Sequence, residues 1–198
     1  MEIKLFVFDM GDVVIYEHDT WHNVFSTFGM DLKNVRQIGP ESRSVIWEMI
    51  KGKVSEEDFW TVVQKEMGRK VPWQGVLKSK HIGIDVPGTK DLIVKLKDKG
   101  YRVVCGTNNI LPFYLDIKEK GHYDVFDKTY SSFKIGIGKP DVEFWRYISE
   151  KENVRLESMF FVDDSKENID AAQSIGVVTH HFNNSFELEQ RLTNMGIL

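Results

Sequence analysis

Two periodicities divide the chain. From Ile3 to Phe8 every position is apolar except Lys4, the pattern of a strand buried on both faces of a parallel sheet. That run ends in Asp9-Met10-Gly11-Asp12, a carboxylate delivered into a glycine turn. From about Tyr16 to Val86 the spacing becomes helical, with no convincing strand. Trp21, Val24, Phe25 and Phe28 share one face, and Val45, Ile46 and Met49 make a second short stripe. Ser55-Glu56-Glu57-Asp58 has the form of a capping box, and Phe59, Val62, Val63 and Met67 give the helix behind it an apolar face.

At Val86-Pro87-Gly88-Thr89 the pattern resets. A helix carrying Leu92, Ile93 and Leu96 ends at Lys99-Gly100, and Tyr101 to Gly106 reads as a strand. Leu111 to Lys120 is then helical, Lys128–Ser131 a strand, Pro140 to Lys151 a helix, Met159–Val162 a strand, Lys166–Ile175 a helix and Val177–Phe182 a strand. Alternating strands and helices predict an α/β fold with a doubly wound parallel sheet. The expected division is a core of residues 1–15 and 87–198, with residues 16–86 a helical insertion over the sheet's carboxyl edge.

Composition narrows this picture. With 198 residues, 41% of them hydrophobic, the chain can bury one good core and a small inserted unit. The net charge of −4, from 26 basic and 30 acidic residues, disfavours nucleic acid as a partner but leaves room for a small phosphorylated metabolite. The single Cys105 cannot form an internal disulfide and suits a reducing cytoplasm. Neither a secretory signal nor an apolar run of membrane-spanning length is present. Monomer and homodimer are both compatible with the sequence.

The chemistry-bearing residues fall in a fixed order at the ends of the predicted strands: Asp9, Thr107-Asn108, Lys139-Pro140 and Asp163-Asp164. An acid at a strand's carboxyl end lies where open α/β sheets bind ligands. The set combines a carboxylate nucleophile, a hydroxyl and a lysine to hold an anion, and acids to hold a divalent cation. It reads as an enzyme forming a covalent aspartyl intermediate. Cys105, in mid-strand, reads as a small buried apolar residue, and His180-His181 has no acid or cysteine at ligand spacing.

In this order, Phe8-Asp9-x-Gly11-x-Val13, Val103-Val104-Cys105-Gly106-Thr107-Asn108, Lys139-Pro140 and Phe160-Phe161-Val162-Asp163-Asp164-x-x-x-Asn168 resemble the haloacid dehalogenase superfamily along the whole chain. The helical insertion resembles the small cap of its first subclass. The resemblance implies that Asp9 attacks phosphorus and that Mg²⁺ is held by Asp9, the Gly11 carbonyl and Asp164. Asp163 would hold a metal-bound water or orient Lys139. It also implies that the Thr107 hydroxyl, the Asn108 N–H and Lys139 bind the phosphoryl group. Thr107 and Asn108 have a plainer reading as caps of a helix starting near Ile110, as does Asn109. The glycine-laced approach Gly136-Ile137-Gly138 would let Lys139 turn inward.

Gly11 departs from the pattern, because phosphatases of the superfamily usually carry an acid–base aspartate two residues after the nucleophile. A subset acting on sugar phosphates, the bacterial glucose-1-phosphate phosphatases, shares the glycine and has a similar motif run. General acid–base catalysis is typically worth ~10²–10⁴-fold, so its loss slows a phosphatase without abolishing it, and the proton comes from a cap residue, from water or from the substrate itself; Asp12, His18 and His22 are candidates, and Trp21 reads as cap core. The expected function is a Mg²⁺-dependent phosphatase of a small phosphorylated metabolite, a sugar phosphate among them. One alternative is a 2-haloacid dehalogenase, whose halide needs no proton, although related dehalogenases lack the paired acids. The other is a non-catalytic phospholigand-binding member of the fold.

Overall fold

The computed structural model describes residues 2–33, 37–81 and 83–198. The first part of the chain forms β1 (Leu5–Phe8), β2 (Ile15–Tyr16), α1 (Thr20–Ser26), α2 (Pro40–Ile50), α3 (Glu56–Met67), α4 (Val76–Lys80) and β3 (Ile84–Asp85). It continues through α5 (Thr89–Asp98), β4 (Arg102–Thr107), α6 (Leu111–Glu119), β5 (Lys128–Ser131), α7 (Ser132–Ile135) and α8 (Glu143–Glu152). The last elements are β6 (Met159–Asp163), α9 (Lys166–Ser174), β7 (Val178–His181) and α10 (Ser185–Asn194).

Five strands form one sheet in the order β5-β4-β1-β6-β7, with every neighbouring pair parallel. Strand side chains alternate between faces, and the two faces bury different partners. Phe6, Phe8, Val103, Cys105, Phe160 and Val162 pack with Leu92, Ile93 and Leu96 of α5, Ile117 of α6 and Leu188 and Leu192 of α10. Leu5, Val7, Val104, Met159 and Phe161 pack with Phe144, Trp145 and Ile148 of α8 and Ile169 and Ala172 of α9. Apolar cover on both faces explains why the strands read as continuous apolar runs.

Helices α1–α4 close over a third core of their own, including Phe25, Met49, Phe59, Trp60, Val63 and Leu77, joined from α6 by Phe113 and from its N-terminal flank by Ile110. The capping box forms: Ser55 Oγ accepts from Asp58 N at 3.1 Å, and Asp58 Oδ2 accepts from Ser55 N at 2.9 Å.

Four expectations are revised. The stretch from Tyr16 to Val86 is not strand-free, because β2 and β3 at its two ends pair antiparallel; two-residue strands carry no readable alternation. Asn34–Arg36 and Ile82, within that same stretch, lie outside the described residues. The helix read from Pro140 begins at Glu143, since residues 138–141 form a turn with Asp141 N donating to Gly138 O at 3.0 Å. Thr107 and Asn108 do not cap α6, which starts without a side-chain cap behind Ile110. Helices α7 and α10 add to the elements expected from the sequence.

Candidate active site

Strand β1 lies between β4 and β6, and the chain builds outward from it in both directions. Its carboxyl end is therefore the switch point of the sheet, where neighbouring loops diverge and leave a crevice. Asp9 is the first residue beyond that end. Its N–H donates to Val162 O of β6 at 2.9 Å, and its Oδ1 accepts from Met10 N at 2.7 Å. These bonds aim Oδ2 into the crevice, 2.9 Å from Lys139 Nζ.

Lys139 reaches this point from the loop before α8 and is 1% exposed. Its ammonium also donates to Asp163 Oδ2 at 2.6 Å. Asp163 is fully buried at the end of β6 and accepts further bonds from Ser165 N at 2.8 Å and Asn168 Nδ2 at 3.0 Å. The Asn108 side chain pins the lysine's backbone, with Nδ2 donating to Lys139 O at 2.7 Å and Oδ1 accepting from Lys139 N at 2.9 Å. A Cβ at Gly138 would lie 3.0 Å from Asn108 Oδ1, so the glycine makes room for the clamp. Asn109 is buried and structural: its Oδ1 accepts from Ile110 N, and its Nδ2 donates to Tyr123 Oη at 3.2 Å. Thr107 is buried at the end of β4, and its hydroxyl makes a long 3.5 Å contact to Asn108 O.

Asp9, Asp163 and Asp164 each place a carboxylate oxygen within 4.8 Å of the others. Three acids thus face one ammonium. Burial drives the Asp9 pKa well above its ordinary value, and the charges of Asp163 and Asp164 add to this against the opposing pull of Lys139. Asp164 stands at the open mouth of the site, with its pKa pushed up to about 6 by surrounding protein and then by Asp163 and Asp12. Burial would lower the Lys139 pKa, but Asp163 and Asp9 outweigh it and keep the group cationic. A partly open, all-oxygen cluster with excess negative charge fits a hard divalent cation of the Mg²⁺ type.

Gly11 and Ile15 form a bridge that folds the turn back on itself. Asp12, at φ +52°, spends its carboxylate inside that turn: Oδ1 accepts from Glu17 N at 2.9 Å and His18 N at 3.2 Å and lies 3.1 Å from His18 Nδ1. Position 11 is not empty space. A Cβ there would lie 2.7 Å from Glu17 Oε2. The other oxygen of Glu17 lies 2.8 Å from His81 Nε2, and His81 Nδ1 lies 2.6 Å from Asp116 Oδ2 on α6. Sequence reading missed both Glu17 and His81. They are 64 positions apart, with no local motif around either.

His18 is exposed between Asp12 and Asp19, and His22 Nδ1 comes no nearer than 3.7 Å to Asp31 Oδ1. Trp21 packs against Phe25, Phe59 and Phe113 with ring centroids 5.5–6.0 Å apart. Cys105 is fully buried, and that burial pushes its thiol pKa well up, so it is no nucleophile.

The sequence profile of the haloacid dehalogenase-like hydrolases matches residues 3–176. A sesquiterpene phosphatase of Aspergillus oryzae is 28% identical over 187 residues, spanning 92% of this chain and 91% of that protein. A D-ribitol-5-phosphate phosphatase of Bacteroides thetaiotaomicron is 27% identical, spanning 96% of this chain and 97% of that one. In structure, the chain resembles a HAD family enzyme of Bacteroides thetaiotaomicron solved with magnesium and inorganic phosphate. The TM-score is 0.73 at 23% identity, over 92% of this chain and 95% of that one, a likeness of fold.

Proposed function

The chain belongs to the haloacid dehalogenase-like hydrolase family, and we propose that within it the protein is a Mg²⁺-dependent phosphatase of small phosphorylated metabolites. The observation that carries this reading is the cluster of Asp9, Asp163 and Asp164 around the Lys139 ammonium. A phosphate dianion cannot approach a carboxylate nucleophile unless cations offset the repulsion. In this reading Asp9, Asp164 and the Gly11 carbonyl hold Mg²⁺, which when bound neutralises charge on the phosphoryl oxygens. Lys139 supplies the second positive charge, and Asp163 together with Asn168 holds that lysine in place. Thr107 and the Asn108 N–H donate to the remaining phosphoryl oxygens. Asp9 attacks phosphorus in line, forming an aspartyl-phosphate that water then hydrolyses.

Residues 16–86 act as a helical cap on a core of residues 1–15 and 87–198, with the β2–β3 pair as the joint between them. Sugar and alditol phosphates are the substrates in this reading. It draws on the glycine at position 11 and on the ribitol-phosphate phosphatase among the relatives. A single buried, unpaired Cys105 accords with action in the cytoplasm, and no described helix is long and apolar enough to cross a membrane. A dehalogenase would have no use for the three-acid cluster, which favours the phosphatase.

The test is phosphate release from a panel of phosphate esters, with Mg²⁺ and with EDTA. Release should require Mg²⁺ and should fall to background in Asp9→Asn, with circular dichroism unchanged. Full activity in EDTA, or an Asp9→Asn variant that turns over normally, overturns the reading.

A further inference from the structure

Expelling an alkoxide from phosphorus requires a proton at the leaving oxygen, and a positioned donor contributes ~10²–10⁴-fold. Asp12, His18 and His22 do not fill that place. The Asp12 carboxylate is engaged by the turn it closes, His18 is an exposed ring paired with Asp12 and Asp19, and His22 Nδ1 is buried without a hydrogen bond, 3.7 Å from Asp31 Oδ1.

We propose that Glu17 is the acid–base catalyst of this enzyme, occupying the space over Gly11, with His81 and Asp116 positioning it. Glu17 Oε2 stands 2.7 Å from where a Cβ of residue 11 would be, two residues along the chain from the nucleophile. The glycine and the glutamate are therefore one feature: any side chain at position 11 would displace the carboxylate. The other oxygen is fixed at 2.8 Å by His81 Nε2, on an imidazole with no exposed surface. Asp116 Oδ2 holds the far nitrogen of that ring at 2.6 Å and itself pairs with Lys120 at 2.7 Å. Glu17 keeps 25% of its side chain exposed, so the residue is not sealed from solvent. Glu17 directly follows β2 and His81 shortly precedes β3, so both ends of the helical segment meet at this carboxylate.

The role rests on the phosphatase reading. In the first half-reaction an Asp9 oxygen bonds to phosphorus, the bond from phosphorus to the leaving oxygen breaks, and that oxygen takes, through Glu17 Oε2, the proton that the hydrogen-bonded Glu17–His81 pair carries. In the second, a water oxygen bonds to phosphorus, the bond to Asp9 breaks, and Glu17 takes the proton that the water releases. Protons balance over one turnover. His81 acts as a positioning residue, through the Glu17 carboxylate.

The experiment compares wild type, Glu17→Gln, Glu17→Ala, Gly11→Asp and the double variant Gly11→Asp/Glu17→Ala. Its substrates are p-nitrophenyl phosphate and the best alkyl ester of the panel. Glu17→Gln should lose ~10²–10⁴-fold on the alkyl ester. On p-nitrophenyl phosphate, whose leaving group needs no proton, it should release one equivalent of nitrophenolate in a burst and then stall as the phosphoenzyme on Asp9, seen as an added phosphoryl mass. Gly11→Asp alone should be impaired by collision with Glu17. The double variant should recover alkyl turnover relative to Glu17→Ala, because the acid has moved to the other side of the same space. A Glu17→Gln enzyme with wild-type rates on both esters and no burst overturns the role of Glu17 and leaves the phosphatase reading standing. So does a double variant no better than Glu17→Ala. A wild type that releases no phosphate from any ester overturns both.

Discussion

Lys139 carries two loads at once. It is 1% exposed and bonded to Asp163, which is fully buried, and to Asp9. Removing one member of a buried ion pair leaves an uncompensated charge, which typically costs about 3–5 kcal/mol. Lys139→Met should therefore lower stability by about that amount in urea denaturation, as well as ending turnover. Added Mg²⁺ should restore part of the lost stability, because a bound cation offsets the same carboxylates. A variant as stable as wild type without metal would mean that the cluster tolerates its own charge. The lysine itself was legible in the sequence through its glycine-laced approach. The Asn108 clamp on its backbone was not, because the two residues are 31 positions apart.

At the level of elements, the best-read helix is α3, whose start is written locally. Ser55 and Asp58 satisfy each other's backbone N–H groups, and the helix behind them places Phe59, Trp60 and Val63 in the third core. Replacing an N-cap serine by alanine typically costs about 1 kcal/mol. Ser55→Ala should lower the unfolding free energy from urea denaturation by that increment and leave the kinetic constants intact; a loss of activity at unchanged stability would tie α3 directly to the substrate. Strands β2 and β3 escaped notice because two residues give no period. Their pairing depends on bringing Ile15 opposite Asp85, which only the closed helical segment does.

Over the whole molecule, His81 joins three parts of the chain: the stretch after β2, the stretch before β3, and α6. Burial depresses its pKa, but Glu17 and then Asp116 more than offset this, leaving it above its ordinary 6.5. Lys120, paired with Asp116, and His122, which with Lys120 flanks Gly83, are the nearby titratable groups. A group whose folded pKa is raised gives its full stabilisation below the unfolded value and loses it as pH rises through the folded one. The stability difference between wild type and His81→Asn, measured by urea denaturation from mildly acidic to mildly alkaline pH, should therefore be largest on the acidic side. A difference that grows with pH would mean that the ring is neutral in the folded protein.

The sequence by itself determined the layers of the fold and marked four candidate site residues at the ends of strands. Burial on both faces makes the apolar runs of β1, β4 and β6 continuous, and a strand's end is where a polar residue first becomes tolerable. Asp9, Thr107 and the pair Asp163-Asp164 stand at such ends. That information is local, a matter of periods and boundaries. Tertiary structure alone decided what fills the space left by Gly11. Glu17 gives no signal in its own neighbourhood, and it becomes chemically distinct only when folding carries His81 and Asp116 to its side. The physical reason is that a carboxylate's reactivity depends on which charges and donors surround it, and those neighbours come from segments 64 and 99 residues away.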